Sequence, residues 1–291
     1  MKGTRRWQSD GPGITGSIKT RASLCTALLA LGAGQAATAA PPRPKAPIPS
    51  DPAALAQSLA GTTDELRAAI DRWVPKSSAP PTDVQLLALY QQRICRRLAQ
   101  DKQLAQLTLP RLPRKLAAMS ADFLVSQREL YRLTPPIGVR TIRVGPARSA
   151  GLLLQYYRDA QDRFDVPWNV LAAVNFVESK FGKLRSASAA DAQGPMQFLP
   201  ATWRRYGLGG NVHDAHDAIL GAANYLRASG ATRHLRRALH AYNPSHSYVD
   251  AVLRYSRRIG ADPTTYFTLY NWQVFVKTPR GDRRVTGPGL P

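Results

Sequence analysis

The chain has 291 residues, of which 44% are hydrophobic, enough to build a real core in one or two domains. Forty Lys and Arg against 19 Asp and Glu give a formal charge of +21, which points to anionic partners. Two cysteines, Cys25 and Cys95, exclude a disulfide-stapled scaffold and leave no Cys spacing of a metal or redox motif.

Lys2, Arg5, Arg6, Lys19 and Arg21 precede an apolar run from Ala22 to Gly34, and Ala37-Thr38-Ala39 follows as a small-x-small cleavage pattern. Residues 1–40 read as a secretory signal and its cleavage region. The apolar run falls short of the roughly 20 residues a membrane span needs, so no stable span is expected after cleavage. Arg5-Arg6 raises a twin-arginine route, but Gln8 and Ser9 stand where that signal prefers apolar residues, which favours general secretion. Cleavage removes five basic residues and one acid, leaving +17. An exported, basic chain meets anionic cell-wall polymers rather than nucleic acid, and the expected location is the cell envelope or the outside. Cys95 alone remains, and reads as a small buried apolar residue.

Residues 41–50 are Pro-rich and read as an extended linker. Leu66, Ile70 and Trp73 form a first helical stripe; Leu87, Tyr90, Ile94 and Leu98 a second; Leu116, Met119, Phe123 and Leu130 a third. Residues 51–136 are therefore a helical accessory region. Its basic residues, Arg93, Arg96, Arg97, Arg111, Arg114 and Lys115, are either a solvated face or a polymer-binding one. From 144 to 262 the helix punctuation is cleaner. Ser149 can cap one helix, Pro167 opens another that runs to Glu178 with Gly182 suited to its end, and Pro200 opens a third that stops at Gly207. Asp214 with Asp217 resembles a capping box for a helix closed by Gly230; Thr232 can start the next, and Ser245 or Ser247 starts a last one ending at Gly260. In the tail, 263–291, Trp272–Val276 and Arg283–Val285 flank Pro279-Arg280-Gly281-Asp282, the pattern of a β-hairpin. The fold class is mainly α with a short C-terminal hairpin.

Glu178 stands out. It shares the i, i+3, i+7 stripe of Leu171 and Val174, and it lies near a helix C-terminus, the unfavourable pole for a negative charge. Both effects favour the protonated form that a general acid requires; the alternative is a hydrogen-bonded structural Glu. Ser188–Phe198 has the small residues, Gly-Pro and amide of a loop whose backbone lies close to a ligand. Ala241-Tyr242-Asn243 puts a phenol and an amide at a helix end, and Trp203, Tyr206 and Tyr225 offer faces that can stack on sugar rings or fill a core. His213 and His216 have i, i+3 spacing but no evident third ligand, and their segment already reads as a helix cap, so no metal site is expected. No phosphate-cradling loop and no Ser-His-Asp arrangement is visible, so a cofactor-free enzyme fits best.

Glu178-Ser179, Gly194-Pro195-Met196-Gln197 followed by Pro200 and Thr202, and Ala241-Tyr242-Asn243 occur in the order and spacing of three motifs of the soluble lytic transglycosylases, which this chain resembles from Leu152 to Ile259. The resemblance implies a lysozyme-like α fold of the goose type at 144–262 and action on peptidoglycan glycan strands. It implies that Glu178 protonates the β-1,4 bond between N-acetylmuramic acid and N-acetylglucosamine and that 1,6-anhydromuramoyl ends result. It also implies that Tyr242 hydrogen-bonds Glu178, that Ser188 sits close to the same carboxyl, and that Met196, Gln197, Phe198 and Asn243 line the glycan groove. One departure is Asp191, which stands where the family has Gly. It is either a turn residue tolerating left-handed backbone or a second carboxylate, as in a hydrolytic lysozyme. A non-catalytic cationic wall-binding protein is the reading from another class.

Overall fold

A computed structural model of the chain describes residues 40–74, 79–138 and 142–290. The expected secretory signal lies outside these residues except for Ala40, and none of the described helices is long and apolar enough to cross a membrane. In chain order the helices are α1 (Pro52–Trp73), α2 (Thr82–Gln100), α3 (Lys102–Thr108), a 3-10 turn (Leu109–Arg111) and α4 (Arg114–Leu133). There follow α5 (Ala150–Phe164), α6 (Trp168–Ser179), α7 (Pro200–Tyr206), α8 (Ala215–Ala228), α9 (Leu235–Tyr242), α10 (His246–Ala261) and α11 (Thr264–Asn271). A two-stranded antiparallel hairpin, β1 (Phe275–Thr278) and β2 (Gly281–Arg284), closes the described chain.

The caps follow from side-chain chemistry. Ser149 accepts from Leu152 N, Asp214 from His216 N and Asp217 N, and Ser245 from Tyr248 N, each satisfying a free N–H in a first helical turn. Three expectations need correction. The helix after Gly230 starts at Leu235 rather than Thr232. The one begun at Ser245 continues past Gly260 to Ala261. The tail holds α11 besides its hairpin: six of its eight residues are buried, so it shows no polar face and no amphipathic period.

α10 packs on both α4 and α6, and thereby joins the accessory helices to the segment bearing Glu178. At their junction Trp272 meets Phe123 of α4 edge-on at 5.3 Å and lies 6.1 Å from Phe176 of α6, while Tyr255 of α10 lies 4.8 Å from Phe176. Burying rings of this size contributes about 4–6 kcal/mol each by area, an upper bound. Trp272 Nε1 donates to Gln91 Oε1, and Gln92 both donates to Gln273 O and accepts from its N–H, so the indole N–H and the Gln273 backbone are satisfied. The Pro-rich segment lies against α2, where Tyr90 donates to Pro47 O and Arg93 to Pro44 O and Ala46 O. Cys95 is buried as a free thiol, its pKa pushed up to about 12 by burial.

Candidate active site

α6 carries a nearly unbroken apolar run, with Leu171, Ala172, Ala173 and Val174 fully buried, and this run drives its C-terminal end into the interior. The helix stops at Ser179 because three successive residues, Lys180, Phe181 and Gly182, adopt left-handed backbone at φ 53°, 61° and 81°. The cap is therefore Lys180, not Gly182 as the sequence suggests. Lys180 Nζ donates to Phe176 O, which also accepts the backbone N–H of Lys180. Burial lowers the Lys180 pKa to about 8.

Glu178, one residue before the helix end, is half-buried. Its Oε1 accepts from Tyr248 OH at 2.7 Å, and no partner for Oε2 exists among the described residues. Burial drives its pKa up to about 7, with the Tyr248 hydroxyl and the charge of Lys180 pulling back only part of the way. Near neutral pH this carboxyl is thus poised between its two forms, as an acid–base catalyst must be.

The hydrogen bond from Tyr242 to Glu178 implied by the resemblance is absent. Tyr242 OH instead donates to Met196 O at 2.6 Å, and the carboxyl's partner is Tyr248 on the first turn of α10. Sequence reasoning missed Tyr248. Its signal was available: it shares an i, i+4, i+7 stripe with Val252 and Tyr255, and a phenol on such a stripe has a hydroxyl that must find a buried partner. Tyr242 remains close enough for the charge of Glu178 to raise its own pKa, after burial, which is the larger cause.

The other residues divide. Ser188 is exposed and does not hydrogen-bond Glu178; its Oγ accepts from Ala190 N and Ala192 N and so caps its own loop. Met196 and Phe198 are 0% and 2% exposed, so both side chains belong to the core and do not line an open groove. Gln197 is half-buried at φ 51°, with its amide donating to Gly194 O. Asn243 ends α9, and its side-chain amide has no hydrogen-bond partner among the described residues. Asp191 has φ 59°, is exposed, and accepts from Gln193 Nε2 at 3.3 Å.

Ser179 ties two of the motifs together. Fully buried, it donates to Pro195 O at 2.5 Å and accepts from Gly182 N, which clamps the 194–197 loop to the end of α6. Gly194 is required there, since at φ 74° an added Cβ would lie 1.9 Å from Val212 O. Beside this loop runs a row of rings: Trp203 to Phe198 at 5.1 Å, Phe198 to Tyr242 at 5.8 Å, Tyr242 to Tyr225 at 5.6 Å and Tyr225 to Tyr206 at 4.6 Å. Trp203, Tyr206, Tyr225 and Tyr242 are each half-buried, so the row keeps faces toward solvent.

Residues 155–263 match the model of the Transglycosylase SLT domain family. The membrane-bound lytic murein transglycosylase F of Thiobacillus denitrificans is 27% identical over 122 residues, covering 39% of this chain and 26% of that protein. This chain thus spans about a quarter of that relative's length. No solved structure matches the chain. The segment that holds Glu178, the Ser179-clamped loop and both tyrosines lies within the residues that match the Transglycosylase SLT domain.

Proposed function

We propose that this chain is a peptidoglycan lytic transglycosylase that cleaves the β-1,4 bond between N-acetylmuramic acid and N-acetylglucosamine and leaves 1,6-anhydromuramoyl ends. The observation that carries the reading is the carboxyl of Glu178: half-buried, held by one phenol through Oε1, with Oε2 unengaged and its pKa near 7. In the protonated form Glu178 gives its proton to the glycosidic oxygen as the bond from C1 breaks. As a carboxylate it then takes the proton of the C6 hydroxyl, whose oxygen closes on C1 of the same ring. Glu178 ends protonated again and no water is consumed. An intramolecular nucleophile has a high effective concentration, so a second carboxylate is dispensable.

The neighbouring residues support this chemistry by position. Tyr248 holds the rotamer of Glu178 and favours its carboxylate form. Tyr242 anchors the 194–197 loop through Met196 O, and the half-buried rings beside it suit stacking on sugar faces. The unpaired amide of Asn243 suits an N-acetyl group, a role the amide of Gln197 is less free to take. The left-handed backbone and exposure of Asp191 favour its reading as a turn residue. The excess of basic residues supports retention on anionic wall polymers, in the envelope or outside the cell.

Mass spectrometry of purified peptidoglycan digested by the protein tests the proposal. Products lighter by one water than hydrolysis products are expected. Reducing muramic acid ends would make the protein a hydrolase, and an undigested substrate would leave the non-catalytic reading.

A further inference from the structure

We infer that Tyr157 and Asn175 are positioning residues, which act through Ser179 to fix the 194–197 loop against the end of α6 beside Glu178; as a statement about cleavage, this rests on the reading of Glu178 as the acid. The residues form one line of polar groups through an apolar interior. The hydroxyl of Tyr157, on α5, lies 2.8 Å from the side-chain amide of Asn175, which stands one turn before Glu178 on α6. The other arm of that amide lies 3.1 Å from Ser179 Oγ, which in turn lies 2.5 Å from Pro195 O. Tyr157 and Asn175 are 0% exposed and Ser179 1%, so bulk solvent reaches none of them and each must find its partner inside the protein.

The protons of this line run in one direction. A hydroxyl has one proton to donate, and Ser179 gives it to Pro195 O, the nearer acceptor. With Nδ2 toward Tyr157, Asn175 donates to the phenol, and its Oδ1 faces a Ser179 oxygen whose proton is already spent. The two arms of an amide have nearly the same shape, and the bonds around them decide their order. Turned over, Asn175 accepts the proton of Tyr157, which has no other acceptor among the described residues, and donates to Ser179 Oγ. Ser179 then accepts from Asn175 and from Gly182 N and donates to Pro195 O, so every group on the line is satisfied. Hydrogen bonds polarised in one direction strengthen one another.

The line ends at the site. Ser179 follows Glu178 in sequence, and Pro195 precedes Met196, whose carbonyl accepts from Tyr242 OH at 2.6 Å. Two consecutive carbonyls thus hold the loop, one to α6 and one to α9. Tyr242 lies near enough to Glu178 to feel its charge, so both anchors of the loop stand beside the carboxyl. Leu has the branched shape of Asn and would serve packing at position 175; what only the amide supplies is the orientation of Ser179.

The test compares Tyr157→Phe, Asn175→Leu, Ser179→Ala and the double variant Asn175→Leu with Ser179→Ala. It reads kcat on purified peptidoglycan, and hydrogen exchange of residues 193–198 against that of α2. Asn175→Leu and Ser179→Ala should each lower kcat by roughly ten- to hundredfold, the scale of a misplacement of about 1 Å, and Tyr157→Phe by less. The double variant should be no slower than Ser179→Ala alone, because both changes act by one route. Residues 193–198 should exchange faster in every variant while α2 exchanges as in the wild type, a pattern that a general loss of stability does not produce. Losses that add in the double variant, wild-type kcat in Asn175→Leu, or unchanged exchange at 193–198 overturns the inference. If Asn175→Leu fails to fold, Tyr157→Phe, which removes one hydroxyl and little volume, decides by the same two readouts, and wild-type values in either overturn it. A wild type that leaves peptidoglycan intact overturns the cleavage reading, and the exchange comparison then decides the fixing of the loop on its own.

Discussion

Glu178 and Asp262 are both partly buried carboxylates at the C-terminal ends of helices, one on α6 and one after α10, yet they sit in opposite electrostatic states. Burial pushes Asp262 upward, but Arg67 at 2.5 Å and the N–H of Thr264 at 3.0 Å outweigh it and hold its pKa below the usual carboxylate range. Burial pushes Glu178 upward too, and there a phenol and the charge of Lys180 do not outweigh it. The surroundings decide the outcome: Asp262 has a guanidinium and the first N–H of α11, whereas Glu178 has neither. In a chain with 40 Lys and Arg, no described cation lies within 4 Å of Glu178. A carboxylate held by an arginine stays charged at neutral pH and cannot serve as an acid there.

The largest effect expected from this contrast is that of Glu178→Gln. The amide keeps the shape but cannot pass a proton to the leaving oxygen, and loss of general acid catalysis costs about 10² to 10⁴ in rate. Turnover near that of the wild type in the folded variant would make Glu178 structural. Next comes Tyr248→Phe, for which a ten- to hundredfold loss of kcat is expected from a freed rotamer. Because the hydroxyl favours the charged form, its removal should also shift the alkaline limb of the pH–rate profile to higher pH. Tyr242→Phe should leave that limb in place, and the reverse pattern would return the role of carboxyl partner to Tyr242.

The folded state holds the Glu178 proton more tightly than the unfolded chain, so between its ordinary value of 4.5 and about 7 the folded state binds more protons and stability falls as pH rises. Glu178→Gln escapes that penalty. Denaturant titrations should find the variant more stable than the wild type above pH 7, by on the order of 1–3 kcal/mol after allowance for partial exposure, with the gap closing below pH 4.5. A gap independent of pH would mean that the carboxyl is not shifted. The smallest effect belongs to Arg67→Ala. The Arg67 side chain is 50% exposed, so its loss should cost at most about 1 kcal/mol at neutral pH. The folded-state pKa of Asp262 is depressed, so this loss should fade as pH falls through the carboxylate range.

What could be read in advance follows from locality. Ser149, Asp214 and Ser245 act on N–H groups two or three residues away, and so their caps were legible. The burial of Glu178 was legible because its stripe lies within one helix. The partner of its carboxyl was not, since Tyr242 and Tyr248 lie six residues apart across the α9–α10 turn and only the crossing of α10 over α6 decides which hydroxyl reaches it. Met196 and Phe198 share that limit, because a motif shows that a loop approaches the site but not which way each side chain turns. α11 was hidden because burial on most sides erases the period by which a surface helix is recognised.

The strapping of the Pro-rich segment onto α2 has a topological consequence. A Cβ at Gly289 would stand 2.9 Å from Pro44 Cγ, so the two ends of the described chain meet side by side. Joining them through a short linker and opening the chain at an exposed turn should yield a circular permutant with the same core. Fusions at residue 40 and at residue 290 should likewise project from one place on the surface, so that a tag or tether at either end holds the molecule by the same handle.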